Sequence, residues 1–169
     1  ACFINDDALA KKLRSHSVHG QTKRYYHPHL GINGRMDSIQ AAVLIEKLKI
    51  FPEEVKLRQK VAERYFHLLE GAVKLPFIES CNQSVFAQFT ILVDDRDKVI
   101  ARLRDRNIPT AVHYPVPLHY QPALAELGLK QGDFPMAERA ADRVMSLPMS
   151  PYITEADQQQ VATALKEVV

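Results

Sequence analysis

The stretch G-I-N-G-R-M-D-S-I-Q-A-A-V-L-I-E-K-L, residues 31–48, constrains the fold most, because it turns within a few residues from a polar glycine loop into a helix apolar on most of its faces. Before it, residues 15–36 lack hydrophobic periodicity and are dense in His, Tyr, Gly and basic side chains. That reads as a loop of about twenty residues, and loops so long inside compact domains are usually functional or disordered. From Asp37 the pattern is helical. Asp37 with Gln40 three residues on has the form of a capping box, and Ile39, Val43, Leu44, Ile45, Leu48 and Phe51 make a wide apolar surface. The spacing predicts a buried helix over 38–51. It also raises a question: why place Asn33 and Arg35 on a polar turn at the foot of such a helix?

Downstream, Pro52 reads as the boundary between that helix and a second one, whose first turn carries Glu53 and Glu54 and whose apolar positions Val61, Tyr65, Leu68, Leu69 and Val73 run to about Gly71. V-F-A-Q-F-T-I-L-V (85–93) reads as a strand, and D-R-D-K-V-I-A-R-L-R-D-R-N as a helix ending at Asn107. T-A-V-H-Y-P-V is a short strand broken by Pro115, followed by helices near 120–127 and 135–144, then S-L-P-M and a last helix from about 154. Alternating strands and helices without repeats favour a small α/β layer fold over a bundle.

The 169 residues suffice for one good core, or for a small domain with a fragment of another. A net charge of +2 is too small for bulk attraction to nucleic acid or membrane, so the expected partners include neither. Cys2 and Cys81 form no spaced motif, and no apolar stretch approaches the ~18 residues of a membrane span. A cytoplasmic location is the default reading. The chain opens A-C-F-I-N-D-D without an initiator methionine, with a strand-like start leading at once into a helix capped by Asn5, Asp6 or Asp7. This has the look of a cut inside a domain, and the chain reads as a possible fragment of a longer protein.

Charge is unevenly distributed. Between Asp7 and Asp37 there is no acidic residue, whereas Lys11, Lys12, Arg14, Lys23, Arg24 and Arg35 are basic and His16, His19, His27 and His29 add imidazoles. The natural partner of such a loop is an anion that also accepts hydrogen bonds, and a phosphate fits. A merely solvated basic loop explains the composition as well. The His-x2-His and His-x-His spacings match no standard metal site and lack a nearby Cys, Asp or Glu, so no metal is assigned. Tyr25 and Tyr26 among basic residues could stack on single-stranded nucleic acid, which the balanced overall charge disfavours. The second constellation is T-A-V-H-Y-P-V-P-L-H-Y-Q-P-A-L (110–124), where prolines stiffen a segment carrying His113, Tyr114, His119, Tyr120 and Gln121. Proline lowers the entropy lost on fixing a loop, which suits a preorganised ligand-binding edge. Equally, His113 and Tyr114 could simply end a strand and pack on a helix.

Taken together, H-G-Q-T-K-R-Y-Y-H-P-H-L-G-I-N-G-R-M-D-S-I-Q-A-A, H-Y-P-V-P-L-H-Y-Q-P-A and F-P-M-A-E-R-A-A-D-R-V-M-S-L-P-M-S-P-Y-I-T resemble three ordered signatures of the DegT/StrS-type sugar-nucleotide aminotransferases. The resemblance covers essentially the whole chain. It implies a fold-type-I enzyme that uses pyridoxal phosphate, works as a homodimer with active sites at the subunit interface, and moves an amino group from glutamate to a keto-sugar nucleotide. In that family the Schiff-base lysine lies shortly before a strand whose continuation A-C-F-I-N-D-D resembles. No catalytic residue is therefore assigned here, and the chain alone is expected to be inactive.

The same resemblance implies that residues 1–51 are the end of the large cofactor-binding domain with an interdomain helix, and 52–169 the small C-terminal α/β domain, helices packed on a small, mostly antiparallel sheet. It implies that Asn33 bonds the cofactor phosphate of the partner subunit and that Arg35 lies near the substrate. A side chain that crosses an interface needs a protruding turn on a rigid support, which the helix after Asp37 would supply. His113 and Tyr114 fall on the stretch that lines the sugar-nucleotide pocket. Gly34 is a departure, leaving the loop freer than a larger residue would. A related dehydratase with histidine in place of the lysine, and a stand-alone anion-binding or interaction domain, remain alternatives.

Overall fold

The computed structural model describes residues 2–169, and the chain divides into two compact units, Ala1–Ile50 and Phe51–Val169. In the first, helix α1 (Asp7–Ser17) starts at Asp6, whose carboxylate accepts from the Leu9 N–H at 2.9 Å. Residues 2–6 form no strand: the apolar opening is irregular, with a bend at Asn5 and no ladder partner. Residues 18–37 are irregular, as their composition predicts, but not loose. His19 N–H donates to Ile32, Ile32 N–H to His16, Gly34 N–H to Ser17 and Gly20 N–H to Ser15, all at 2.8–2.9 Å. The loop is thus sewn to the last turn of α1.

Helix α2 (Ser38–Leu69) corrects the expected break at residue 52: one helix runs through Pro52. Proline removes a single N–H, the partner of the Leu48 carbonyl, and at an exposed position water can satisfy that oxygen while good helix formers continue on both sides. A second correction concerns burial. Ile39, Val43, Ile45, Leu48 and Phe51, expected to be buried, are exposed by half or more, Ile39 to 77%. Apolar periodicity shows which face a helix has to bury, and here no described residue covers that face.

The core belongs to the second unit. From α2, Val61, Ala62, Tyr65 and Leu69 pack on the antiparallel pair β1 (Phe89–Leu92) and β2 (Val144–Leu147), in register Phe89 with Leu147 and Leu92 with Val144. Helix α3 (Arg96–Asp105) adds Val99 and Leu103, and α5 (Glu155–Lys166), capped by Thr154, adds Val161, Ala162 and Leu165. Phe89 is fully buried, its ring 5.0 Å from Tyr65 and 5.3 Å from Phe66. Asn107, just past α3, and Gly71, just past α2, both have positive φ, the left-handed stop their positions suggest. Gln158 is a fully buried polar side chain of this core; it donates to the Val61 carbonyl at 2.9 Å and accepts from Arg64. Tyr65 donates to the Pro148 carbonyl at 2.9 Å, and burial pushes its phenol far above the usual tyrosine range.

Both strands are shorter than the sequence suggests. The apolar run 85–93 pairs only from Phe89, since Phe86 has φ +43° and turns the chain. Residues 110–116 are reduced to one bridge, Ala111 with Ser146, because Pro109, Pro115 and Pro117 withhold ladder donors. Short turns at Leu118–Tyr120 and Pro122–Leu127 replace the helix expected near 120–127, and α4 (Pro135–Arg143) follows with proline in its first turn.

Candidate functional site

In the first unit, the Asn33 turn is built by two glycines. A Cβ on Gly20 would lie 1.7 Å from the His29 carbonyl oxygen, and one on Gly31 2.1 Å from the Gly20 nitrogen, so the two backbones touch where side chains would stand. Gly20 also has φ +72°. Gly34, by contrast, is in ordinary van der Waals surroundings. Histidines finish the construction. His16 Nδ1 donates to the Leu30 carbonyl at 2.7 Å and His27 Nδ1 to the His19 carbonyl at 3.0 Å; since a carbonyl only accepts, both rings carry their proton on Nδ1. Two of the four histidines are therefore scaffolding, and no group of three or more His, Cys, Asp or Glu that could hold a metal occurs among the described residues.

Asn33 and Arg35 are brought together. Arg35 Nε donates to Asn33 Oδ1 at 2.9 Å, both side chains are exposed, and Asn33 pairs through its backbone with Val18. This orientation leaves the Asn33 Nδ2 hydrogens and the Arg35 Nη groups without partners among the described residues, a cluster of donors on one exposed turn. Such a set fits an anion with several acceptor oxygens. Lys23 lies 5.1 Å above the Tyr26 ring and Arg24 4.9 Å above Tyr25, so the tyrosines hold neighbouring cations by their faces. Asp37 accepts from Ile39 N–H at 2.8 Å and begins α2, fixing where the turn ends.

In the second unit, His113 and Tyr114 lie together on a groove of about 630 Å³, with Val116, Pro117, Leu118 and Gln121 on the same wall and Ala137, Ala140, Ala141 and Val144 opposite. Tyr114 is 74% exposed, so no described residue buries its ring. His113 is half-buried above Ser146, with Nδ1 a long 3.4 Å from that hydroxyl, and Ser146 in turn meets Thr90 Oγ1 at 2.9 Å. The groove is apolar with a polar rim, a shape that takes a ligand carrying both ring faces and hydroxyls.

Sequence reasoning missed the Gly20–Gly31 contact, Ser146 beneath His113, and the pairing of His119 with Glu138. His119 is buried, its Nε2 3.1 Å from Glu138 Oε1. Burial works to raise the Glu138 carboxyl, but hydrogen bonds from Gly132 N–H, the His119 ring, Phe134 N–H and the neighbouring Tyr120 hydroxyl outweigh it and hold the group below the usual carboxylate range. A proline-led helix start with glutamate in its first turns, F-P-M-A-E, was the available signal.

The model of the DegT/DnrJ/EryC1/StrS aminotransferase family matches residues 1–166. The chain belongs to this family. Among curated relatives, it is 47% identical over 166 residues to the UDP-2-acetamido-2-deoxy-3-oxo-D-glucuronate aminotransferase of Pseudomonas aeruginosa, covering 98% of this chain and 45% of that one. Among solved structures, a DegT/DnrJ/EryC1/StrS aminotransferase from Brucella abortus superimposes with a TM-score of 0.88 at 39% identity, over 98% of this chain and 44% of that one. NtdA from Bacillus subtilis, solved with bound cofactor PMP, does so with a TM-score of 0.81 at 28% identity, over 97% and 40%. The chain thus spans less than half the length of these family members.

Proposed function

We propose that the chain is the C-terminal portion of a pyridoxal-phosphate-dependent aminotransferase that transfers an amino group from glutamate to a keto-sugar nucleotide, in polysaccharide or amino-sugar biosynthesis. The observation that carries this reading is the family match over residues 1–166, with 47% identity to a protein named as an aminotransferase of a UDP-sugar. Residues 1–51 would then close the cofactor-binding domain and 52–169 form the small domain of a cytoplasmic homodimer. Bound pyridoxal phosphate would supply an electron sink for the reacting carbon and a carbonyl that takes up and hands on the amino group.

The residues of this chain have supporting roles in that chemistry. Asn33 offers its Nδ2 hydrogens to the cofactor phosphate of the partner subunit, and the glycine-built turn suits that task, since nothing bulky stands at Gly20 or Gly31. Arg35, steadied by its bond to Asn33 Oδ1, presents its Nη donors to an anionic part of the substrate. His113 and Tyr114 orient the sugar nucleotide along the groove of the small domain. The lysine that would move protons at the reacting carbon belongs to the upstream part of the parent protein.

In the parent dimer, Asn33→Ala is expected to weaken cofactor binding by about 1.5–3 kcal/mol, the worth of a hydrogen bond to a charged group, while Arg35→Ala weakens substrate binding comparably. Titration of the apo-dimer with pyridoxal phosphate measures the first. Mixed dimers carrying one damaged Asn33 and one damaged upstream lysine should recover activity if Asn33 serves the partner. Unchanged cofactor affinity in Asn33→Ala would remove Asn33 from the phosphate site.

For the groove, His113→Ala and Tyr114→Phe are expected to lower kcat/KM of the sugar half-reaction by about 1–3 kcal/mol of transition-state binding, sparing the glutamate half-reaction. Melting temperature should hardly change for Tyr114→Phe, whose ring stands in solvent. Equal loss in both half-reactions together with a lower melting temperature would make these residues packing elements.

A further inference from the structure

The groove that carries His113 and Tyr114 has walls from two chain segments that share no ladder. One wall, around residues 113–121, is anchored upstream by the single Ala111–Ser146 bridge and otherwise consists of proline-rich turns. The other is α4, which presents Ala137, Ala140 and Ala141. Some side-chain contact has to set their separation. Among the described residues, polar contacts onto Glu138 bridge them: the buried His119 ring at 3.1 Å, with the neighbouring Tyr120 hydroxyl beside it.

We propose that His119 and Glu138 form a positioning pair that holds the two walls of the groove at the spacing its ligand requires. The His119 side chain is 7% exposed and its ring lies between Tyr120, at 4.3 Å, and Phe134, at 4.9 Å. The Glu138 carboxylate accepts from His119 Nε2 at 3.1 Å, so the imidazole proton sits on Nε2. The same carboxylate accepts from Gly132 N–H at 2.9 and 3.1 Å and from Phe134 N–H at 3.4 Å. One side chain thereby ties together the turn that continues from Tyr114, the 128–134 loop and the start of α4. Gly132 contributes through its conformation: at φ +94° a residue with a side chain is strained, so presentation of this amide depends on glycine. Neither His119 nor Glu138 is among the groove-lining residues, which makes their effect on a ligand indirect.

That the ligand is a sugar nucleotide rests on the function proposed above; that the pair sets the groove does not. The test uses the full-length parent enzyme with His119→Leu, which removes the donor, His119→Gln, which returns an N–H near the position of Nε2, and Glu138→Gln. In His119→Leu and Glu138→Gln, amide hydrogen exchange at 113–121 and 128–134 should accelerate at least about tenfold while the core amides of α5 and β1 keep their protection, as expected for a local opening. KM for the keto-sugar nucleotide should rise about tenfold with the glutamate half-reaction unaltered, and His119→Gln should recover most of both losses. Unchanged exchange at 113–121 in a folded variant overturns the proposal, as does parallel loss of both half-reactions without rescue by glutamine. If the wild-type parent turns over no sugar nucleotide, the functional reading fails, and the exchange measurement still decides whether the pair holds the walls.

Discussion

Alanine at Gly31 is expected to undo the Asn33 turn while leaving the core of the second unit intact. The added Cβ would lie 2.1 Å from the Gly20 nitrogen and 2.6 Å from both the His16 oxygen and the His19 carbonyl carbon, all backbone atoms that cannot swing aside as a side chain would. Relief requires separating the two strands of the loop, which breaks the His19–Ile32 and Ile32–His16 hydrogen bonds that sew it to α1. Each bond is worth about 1 kcal/mol net, and overpacking adds about 1–3 kcal/mol, so the local loss is of order 3–5 kcal/mol. Gly20→Ala should be as damaging, with a contact of 1.7 Å to the His29 oxygen and a left-handed φ that costs a further ~1 kcal/mol. Gly34→Ala is the control, since its nearest neighbours are 3.4–3.5 Å away. Hydrogen exchange at residues 19–34 and cofactor titration of the parent dimer measure the outcome. Protection equal to wild type in Gly31→Ala would mean that the loop relaxes around the methyl group and that the glycine contact is not what shapes it.

This pair of glycines also shows where the sequence stops being legible. Periodicity marked α3, α4 and α5 closely and a cap marked α1, because those signals are local: Asp6, one of three candidate caps, bonds an amide three residues away. The α/β class followed from the same local patterns, whereas helices on a small antiparallel sheet followed from the family resemblance. The touching backbones of Gly20 and Gly31 are eleven positions apart, and nothing near either glycine specifies the other. Asn33, Arg35, His113 and Tyr114 were singled out by family resemblance, and the local bonds that position them, Arg35 to Asn33 and Ser146 to His113, were not legible in advance. The exposed face of α2 fails differently. Ile39, Val43 and Leu48, expected to be buried, are exposed, because an apolar stripe carries no record of whether its cover lies in the same chain. The opening question has its answer at this level: Asn33 and Arg35 stand at the foot of α2 because Asp37 stops the loop there, so that the turn's donors remain in the open.

Phe89→Ala should be the most destabilising single truncation in the second unit. The ring is fully buried on the inner face of β1, within 5.0–6.1 Å of Tyr65, Phe66 and Phe86, so three aromatic neighbours would border the vacated volume. Truncating a buried phenylalanine costs about 3–5 kcal/mol, and rings fixed on a helix and a strand cannot all collapse into the hole. For a protein of this size that corresponds to a fall in melting temperature of roughly 6–20 °C. Tyr65→Phe gives the scale for a polar loss at the same place: it keeps the ring and deletes the hydroxyl, with its bond to the Pro148 carbonyl and its contact with Gln158, at a cost of about 1–2 kcal/mol because the carbonyl stays unpaired. Beyond stability, β1 supports the groove through β2, since Thr90 meets Ser146, and Ser146 both bridges to Ala111 and lies under His113. A core defect at Phe89 should therefore reach His113, whereas Tyr65→Phe should not. Denaturant unfolding of each variant, with exchange read at residues 111–114, separates the two. A loss under 2 kcal/mol for Phe89→Ala, below the usual range for truncating a buried phenylalanine, would show that Phe66 and Phe86 close over the site, and would move the centre of this core away from β1.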